Sequence, residues 1–160
     1  MSHVVSISVE IRDLQALQKA CQRLGWTFRQ GQQTYQWFGR WMDDSPIPAH
    51  LFTPERTAAL QAMPREERIA AMNEFLGHCN HAIAIPGCHY EVGLKHYGDH
   101  YKLVWDFWEG QMNQAMGTGG GPLLQAYAVE KAKLEAQRQG LPCTESILED
   151  GTIKLQLVEA

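Results

Sequence analysis

Hydrophobic positions along the chain follow two periods, and the change from one to the other marks the elements. From His89 to Trp108, Tyr90, Val92 and Leu94 alternate with Glu91, Gly93 and Lys95. Beyond Gly98-Asp99, Tyr101, Leu103, Trp105 and Phe107 alternate with Lys102, Val104, Asp106 and Trp108. A period of two sends successive side chains to opposite faces of a strand. The stretch therefore predicts a β-hairpin at the centre of the fold, turned at Gly98-Asp99, where glycine accepts positive φ. One face is apolar and aromatic and should lie against helices. The other mixes charge with Val104 and Trp108. Asp106 is either a solvated strand residue or a carboxylate enclosed in a cleft.

The same patterns divide the rest of the chain. Val5, Ile7, Val9 and Ile11 alternate through a first strand, and Asp13 is placed to cap a helix. Leu14, Leu17, Cys21 and Leu24 recur at helical spacing before a stop at Gly25, so Cys21 should be a core thiol. Trp26 and Phe28 open a second strand, and Tyr35 and Trp37 another extended run. From Gly39 to Pro86 prolines punctuate the chain. A loop precedes two short helices, Pro54 to Ala62 and Pro64 to Leu76, the first opened by Thr53 as cap and Pro54 at the first helical position. The glycine run 117–121 reads as a flexible connection. A helix follows from Pro122 to Gln139, and a terminal hairpin turns at Glu149-Asp150-Gly151.

This order predicts one α+β domain over residues 1–160, with 39–86 as a helical and loop insertion. The expected architecture is a mainly antiparallel sheet with helices on one face, in a ferredoxin-like split β-α-β arrangement extended by the C-terminal hairpin.

Composition narrows the function classes. A formal net charge of −4 makes nucleic acid an improbable partner. No run is apolar for long enough to span a bilayer. The start Met1-Ser2-His3-Val4 lacks the pattern of a secretory signal, so a cytoplasmic location with reduced thiols is expected for the four scattered cysteines.

Three constellations carry candidate chemistry. His78, Cys79, His81 and Cys88, with His89 alongside, are the residue types that hold transition metals, although their spacing matches no standard zinc pattern. Cys88 with His81 or His89 would serve instead as thiol and base. The glycine run before a helix, with Thr118, Gly119 and Gly120, suggests an anion cradle, but no P-loop signature is present and Pro122 removes an amide. Trp37-Phe38-Gly39-Arg40-Trp41 is the expected site of an exposed aromatic patch.

Several phrases resemble one family. They are Met1-Ser2-His3 before a strand, Arg12 to Leu17, Tyr90-Glu91-Val92-Gly93-Leu94, Tyr101 to Asp106, Gln125 to Lys131, and Glu149 to Leu155. Their order is similar to that in the family called hypothetical chloroplast open reading frame thirty-five, found in plastids, cyanobacteria, other bacteria and phages. The likeness covers roughly Met1 to Gly25 and His89 to Val158; the segment from Arg40 to His81 is longer and richer in proline. The resemblance implies a domain of unknown function with no established active site.

The leading expectation is a non-enzymatic cytosolic binding or adaptor domain. It would hold a small molecule or a partner segment between the insertion and the central hairpin, and it could form homo-oligomers. Trp37, Arg40, Trp41, His89, Asp106, Thr118, Gly119 and Gly120 are the candidate contributors. The alternatives are a metal-dependent or thiol enzyme using the cluster 78–89, and nucleotide or RNA binding. The sequence names no cofactor.

Overall fold

The computed structural model describes residues 4–106, 109–150 and 153–157. Its main sheet has five strands, β1 (Val4–Ile11), β2 (Thr27–Gln30), β3 (His81–Ala84), β4 (Glu91–Tyr97) and β5 (His100–Asp106), in the spatial order β1-β5-β4-β3-β2. Every neighbouring pair is antiparallel. The central hairpin pairs Tyr97 with His100 and turns through Gly98, whose φ of 61° suits the tight two-residue connection. The expectations for Phe107, Trp108, the turn residue Gly151, and the side chains of Val5, Ile7, Val9 and Thr118 lie outside the described residues.

The strand order corrects the ferredoxin-like expectation. A split β-α-β unit leaves room for one strand between its two, whereas here three strands, β5, β4 and β3, separate β1 from β2. The helix joining them, α1 (Leu14–Leu24), therefore crosses the width of the sheet. Asp13 caps it by accepting from the amides of Gln15 and Ala16 at 3.0 and 3.1 Å, and Gly25 closes it at a φ of 76°. Both ends were specified by local chemistry.

Helices cover both faces of the sheet, which corrects the expectation of helices on one face. On the first face α1, α4 (Gly110–Met116) and α5 (Gly121–Arg138) enclose Ile83, Val92, Leu94, Leu103 and Trp105 with Leu17, Cys21, Met112, Met116, Leu123 and Tyr127. On the second face lies the excursion 31–80 that joins β2 to β3. It carries α2 (Pro54–Ala62) and α3 (Arg65–Phe75), both where the sequence placed them. Tyr35, Trp41, Leu51, Leu60, Met72, Leu76 and Cys79 pack there against Ala82 and Val104. Alternation along the strands explains the division: Ile83 and Leu103 point one way, and Ala82 and Val104 the other.

The glycine run is a tight turn between α4 and α5. Gly117, Gly119 and Gly120 have φ of 62°, 65° and 74°, so they reverse the chain between two helices. The C-terminal hairpin, β6 (Cys143–Ile147) with β7 (Ile153–Leu157), forms its own two-stranded sheet and does not extend the main one. Arg23 of α1 holds it through the Glu145 carboxylate at 2.5 and 2.6 Å, and this pairing brings the Glu145 carboxyl down to about 2. The hairpin leaves Ile147 and Leu148 exposed at its turn and Leu157 exposed at its open end, opposite Cys143.

Candidate functional site

Two clefts open where the excursion meets the sheet, on either side of Gly77-His78. The first, about 380 Å³, is lined by Phe75, His78, Cys79, Asn80, Lys95, His96 and Tyr97. It exists because β3 begins only at His81, paired with Leu94, so the end of β4 continues without a β3 partner. Asn80 fills part of that gap: its side-chain oxygen accepts from the His96 amide at 2.8 Å, and its own amide donates to the Leu94 carbonyl at 2.8 Å.

The cleft is organised around Lys95. Alternation along β4 sends Val92 and Leu94 to the first core and Lys95 to the face that receives the end of α3. Only 7% of Lys95 is exposed. Its Nζ donates to the Phe75 carbonyl at 3.1 Å and lies 3.9 Å from the centroid of the Phe75 ring. Both contacts suit a cation at the C-terminal end of a helix. Among the described residues no carboxylate acts on its charge, and the Cys79 thiol is the one titratable neighbour that does. Burial brings its ammonium down to about 8. Directly opposite on β5 is Lys102, whose Nζ lies 4.5 Å from the centroid of the Tyr97 ring. Two lysines thus face each other across the hairpin, each above an aromatic ring. The Tyr97 hydroxyl donates to the Leu51 carbonyl at 2.6 Å, which fixes the ring in place.

The second cleft, about 610 Å³, includes Arg29, Gln32, Trp37, His78 and Glu91. Its charge is internally satisfied. Glu91 accepts from Gln32 Nε2 at 3.0 Å and from the Gln36 amide at 2.9 Å, and Arg29 approaches it at 3.6 Å.

The sequence candidates fall in several places. Trp37 is partly buried and lines the second cleft. Trp41, expected in an exposed patch, is fully buried in the second core, with Nε1 donating to Ser45 Oγ at 3.1 Å. The exposed part of that segment is Phe38 and Met42, with Arg40 over the Phe38 ring at 6.0 Å. Asp106 is enclosed and accepts from the Phe38 amide at 3.1 Å, fastening the excursion to the end of β5. His89 is exposed, and its amide donates to Glu109. Gly119 and Gly120 stand at the turn between α4 and α5, outside both clefts.

The four residues expected to bind metal are also divided. Among the described residues no group of three or more His, Cys, Asp or Glu side chains is placed to hold an ion. Cys79 packs in the second core and donates to the Gln32 carbonyl at 3.2 Å. His81 turns to the other face, between the Phe28 and Tyr101 rings, and its Nδ1 accepts from the Gly31 amide at 2.9 Å. Burial lowers its basicity. Cys88 packs against the first core, and His78 borders both clefts. Burial pushes the Cys79 thiol up to about 11 and raises Cys88 as well, so both are thiols near neutral pH.

Sequence reasoning missed Lys95, Asn80 and Tyr97. Lys95 stood in a polar position of an alternating strand, the ordinary place for a solvated lysine. The signal available was the excursion itself, which had to cover whatever lay on that face. No family model matches the chain, and no curated protein or solved structure is significantly similar to it.

Proposed function

We propose that the protein is a small-molecule-binding domain that takes an anionic ligand in the cleft between the end of α3 and β4. One observation carries this reading: a buried lysine at the wall of an open cleft, with a carbonyl and an aromatic face as its contacts and no carboxylate to balance it. Buried charges are ordinarily paired, and a ligand carboxylate or phosphate would supply the missing partner. Lys102 across the hairpin adds a second cation to the same face. The reading keeps the sequence expectation of a ligand held between the excursion and the central hairpin, with a different set of residues. The resemblance to the chloroplast open reading frame family belongs to this proposal and contributes no site residue.

Titration with glycolate and with inorganic phosphate, followed by backbone amide NMR, tests it. The expected result is saturable shifts at His78, Asn80, Lys95 and Tyr97 that weaken with salt and vanish in Lys95→Met. Removing an unpaired buried charge should leave the fold intact. Shifts scattered over the surface, or unchanged by that substitution, count against the cleft.

Self-association is a second part of the proposal, supported by the exposed Ile147, Leu148 and Leu157 on a hairpin that forms a sheet of only two strands. Native mass spectrometry is expected to show a dimer that Ile147→Asp disperses. A monomer at all concentrations removes this part alone.

A further inference from the structure

We propose that Lys95 captures carbonyl compounds as an imine in the cleft beside α3, with small oxo acids as the class of ligand. This rests on the cleft being a ligand site and names the chemistry that the site performs. The amine stands at the wall of an open cleft of about 380 Å³, large enough to admit a small aldehyde or ketone. Its contacts are the Phe75 carbonyl at 3.1 Å and the face of the Phe75 ring at 3.9 Å. A neutral amine can still donate to the carbonyl, and the ring face holds the ammonium far less strongly than a carboxylate would. A carboxylate partner would require the nitrogen to stay charged, and among the described residues no carboxylate acts on the Lys95 charge.

Charged and titratable groups approach it from β5, from the segment after α3 and from β4. Lys102 faces it from β5, a like charge directly across the strand pair. From the segment after α3 come His78 and the Cys79 thiol, which burial keeps protonated. From β4 comes the Tyr97 phenol, raised by burial to about 12 and therefore neutral. Desolvation is a general way to make a lysine nucleophilic. Burial brings Lys95 to about 8 and gives free amine near neutral pH, where exposed lysines have little.

The step balances without a redox partner. The Nζ lone pair bonds to the carbonyl carbon as the C=O π pair moves to oxygen, giving a carbinolamine. The C–O bond then breaks and the oxygen leaves as water with the two hydrogens that began on the amine. The product is C=N at Nζ, protonated by solvent. The carboxylate of an oxo acid offsets the positive charge of the protonated imine.

The competing role for Lys95 is structural, an ammonium capping the last carbonyls of α3. Reductive trapping separates the two. The whole protein is incubated with glyoxylate and cyanoborohydride near neutral pH, and the adduct is located by peptide mass spectrometry. The expected result is modification of Lys95 about tenfold or more faster than Lys19, Lys133 or Lys154, since burial favours the free amine of Lys95. That adduct disappears in both Lys95→Met and Lys95→Arg, the second variant keeping the helix-capping charge. Glycolate, the same acid without the carbonyl, is titrated in parallel. If glycolate binds at the cleft while Lys95 reacts no faster than the exposed lysines, the imine proposal is overturned and the anion-binding reading stands. If glycolate does not bind and glyoxylate modifies all lysines alike, both fall.

Discussion

Replacing Trp41 with Ala is expected to destabilise the protein by about 3–5 kcal/mol, the range for truncating a fully enclosed tryptophan. Trp41 has no exposed surface and is among the largest buried side chains of the second core. Its backbone is held as firmly as its ring. The Trp41 amide donates to Asn73 Oδ1 at 2.6 Å, and Asn73 Nδ2 donates back to the Trp41 carbonyl at 3.0 Å and to Ile69 at 2.9 Å. The substitution therefore leaves a cavity between α3 and the loop that precedes α2, with limited room to collapse. Because that core includes Ala82 of β3 and Val104 of β5, the loss should be felt by the whole sheet. Urea unfolding followed by far-ultraviolet circular dichroism and by tryptophan fluorescence is the measurement. Coincident transitions at a lower midpoint are expected. A separate early transition with the sheet retained would show the excursion to be an independent unit, and a change under about 1 kcal/mol would contradict the packing described.

Gly93→Ala is expected to cost about 1–3 kcal/mol, as overpacking does in a tight interior. A methyl group at position 93 would stand 2.5 Å from Cδ1 and 3.0 Å from Cε1 of Tyr35. Tyr35 is 3% exposed, and its amide is tied to the Gly77 carbonyl at 3.0 Å, so the ring cannot move aside without moving the start of the excursion. Gly93 has no unusual φ, and its role is space rather than backbone freedom. The double variant Gly93→Ala with Tyr35→Leu should recover part of the loss if the clash is its cause. Thermal unfolding of the single and double variants decides the point: additive effects would place the cost elsewhere.

These two positions show where the sequence was legible. Gly93 and Lys95 lie between Val92 and Leu94 and the end of a strand whose alternation is plain, so the strand, its turn and its apolar face could all be read locally. The residues across from them could not be read. Nothing near position 93 says that Tyr35 will lie on it, and nothing near position 95 says that the end of α3 will arrive there. Trp41 went astray for the same reason: in a run with Phe38 and Arg40 it looks like surface, and only the approach of α3 through Asn73 makes it core. The His and Cys cluster around 78–89 failed differently. Residues near in sequence were separated because Cys79 lies in the irregular segment before β3 and packs in the second core, whereas His81 opens the strand and faces Phe28 and Tyr101 on the other side.

By itself the sequence determined the local elements: the capped α1, the two short helices of the excursion, α5 and both hairpins. Each depends on contacts within a few residues, through caps, turn glycines and the periods of burial. The tertiary structure alone decided the order β1-β5-β4-β3-β2, the covering of both sheet faces, and the enclosure of Lys95 beside Phe75. Those features depend on contacts between residues far apart in the chain, whose energies come from desolvation and close packing. A side chain's own neighbours in sequence carry no record of either.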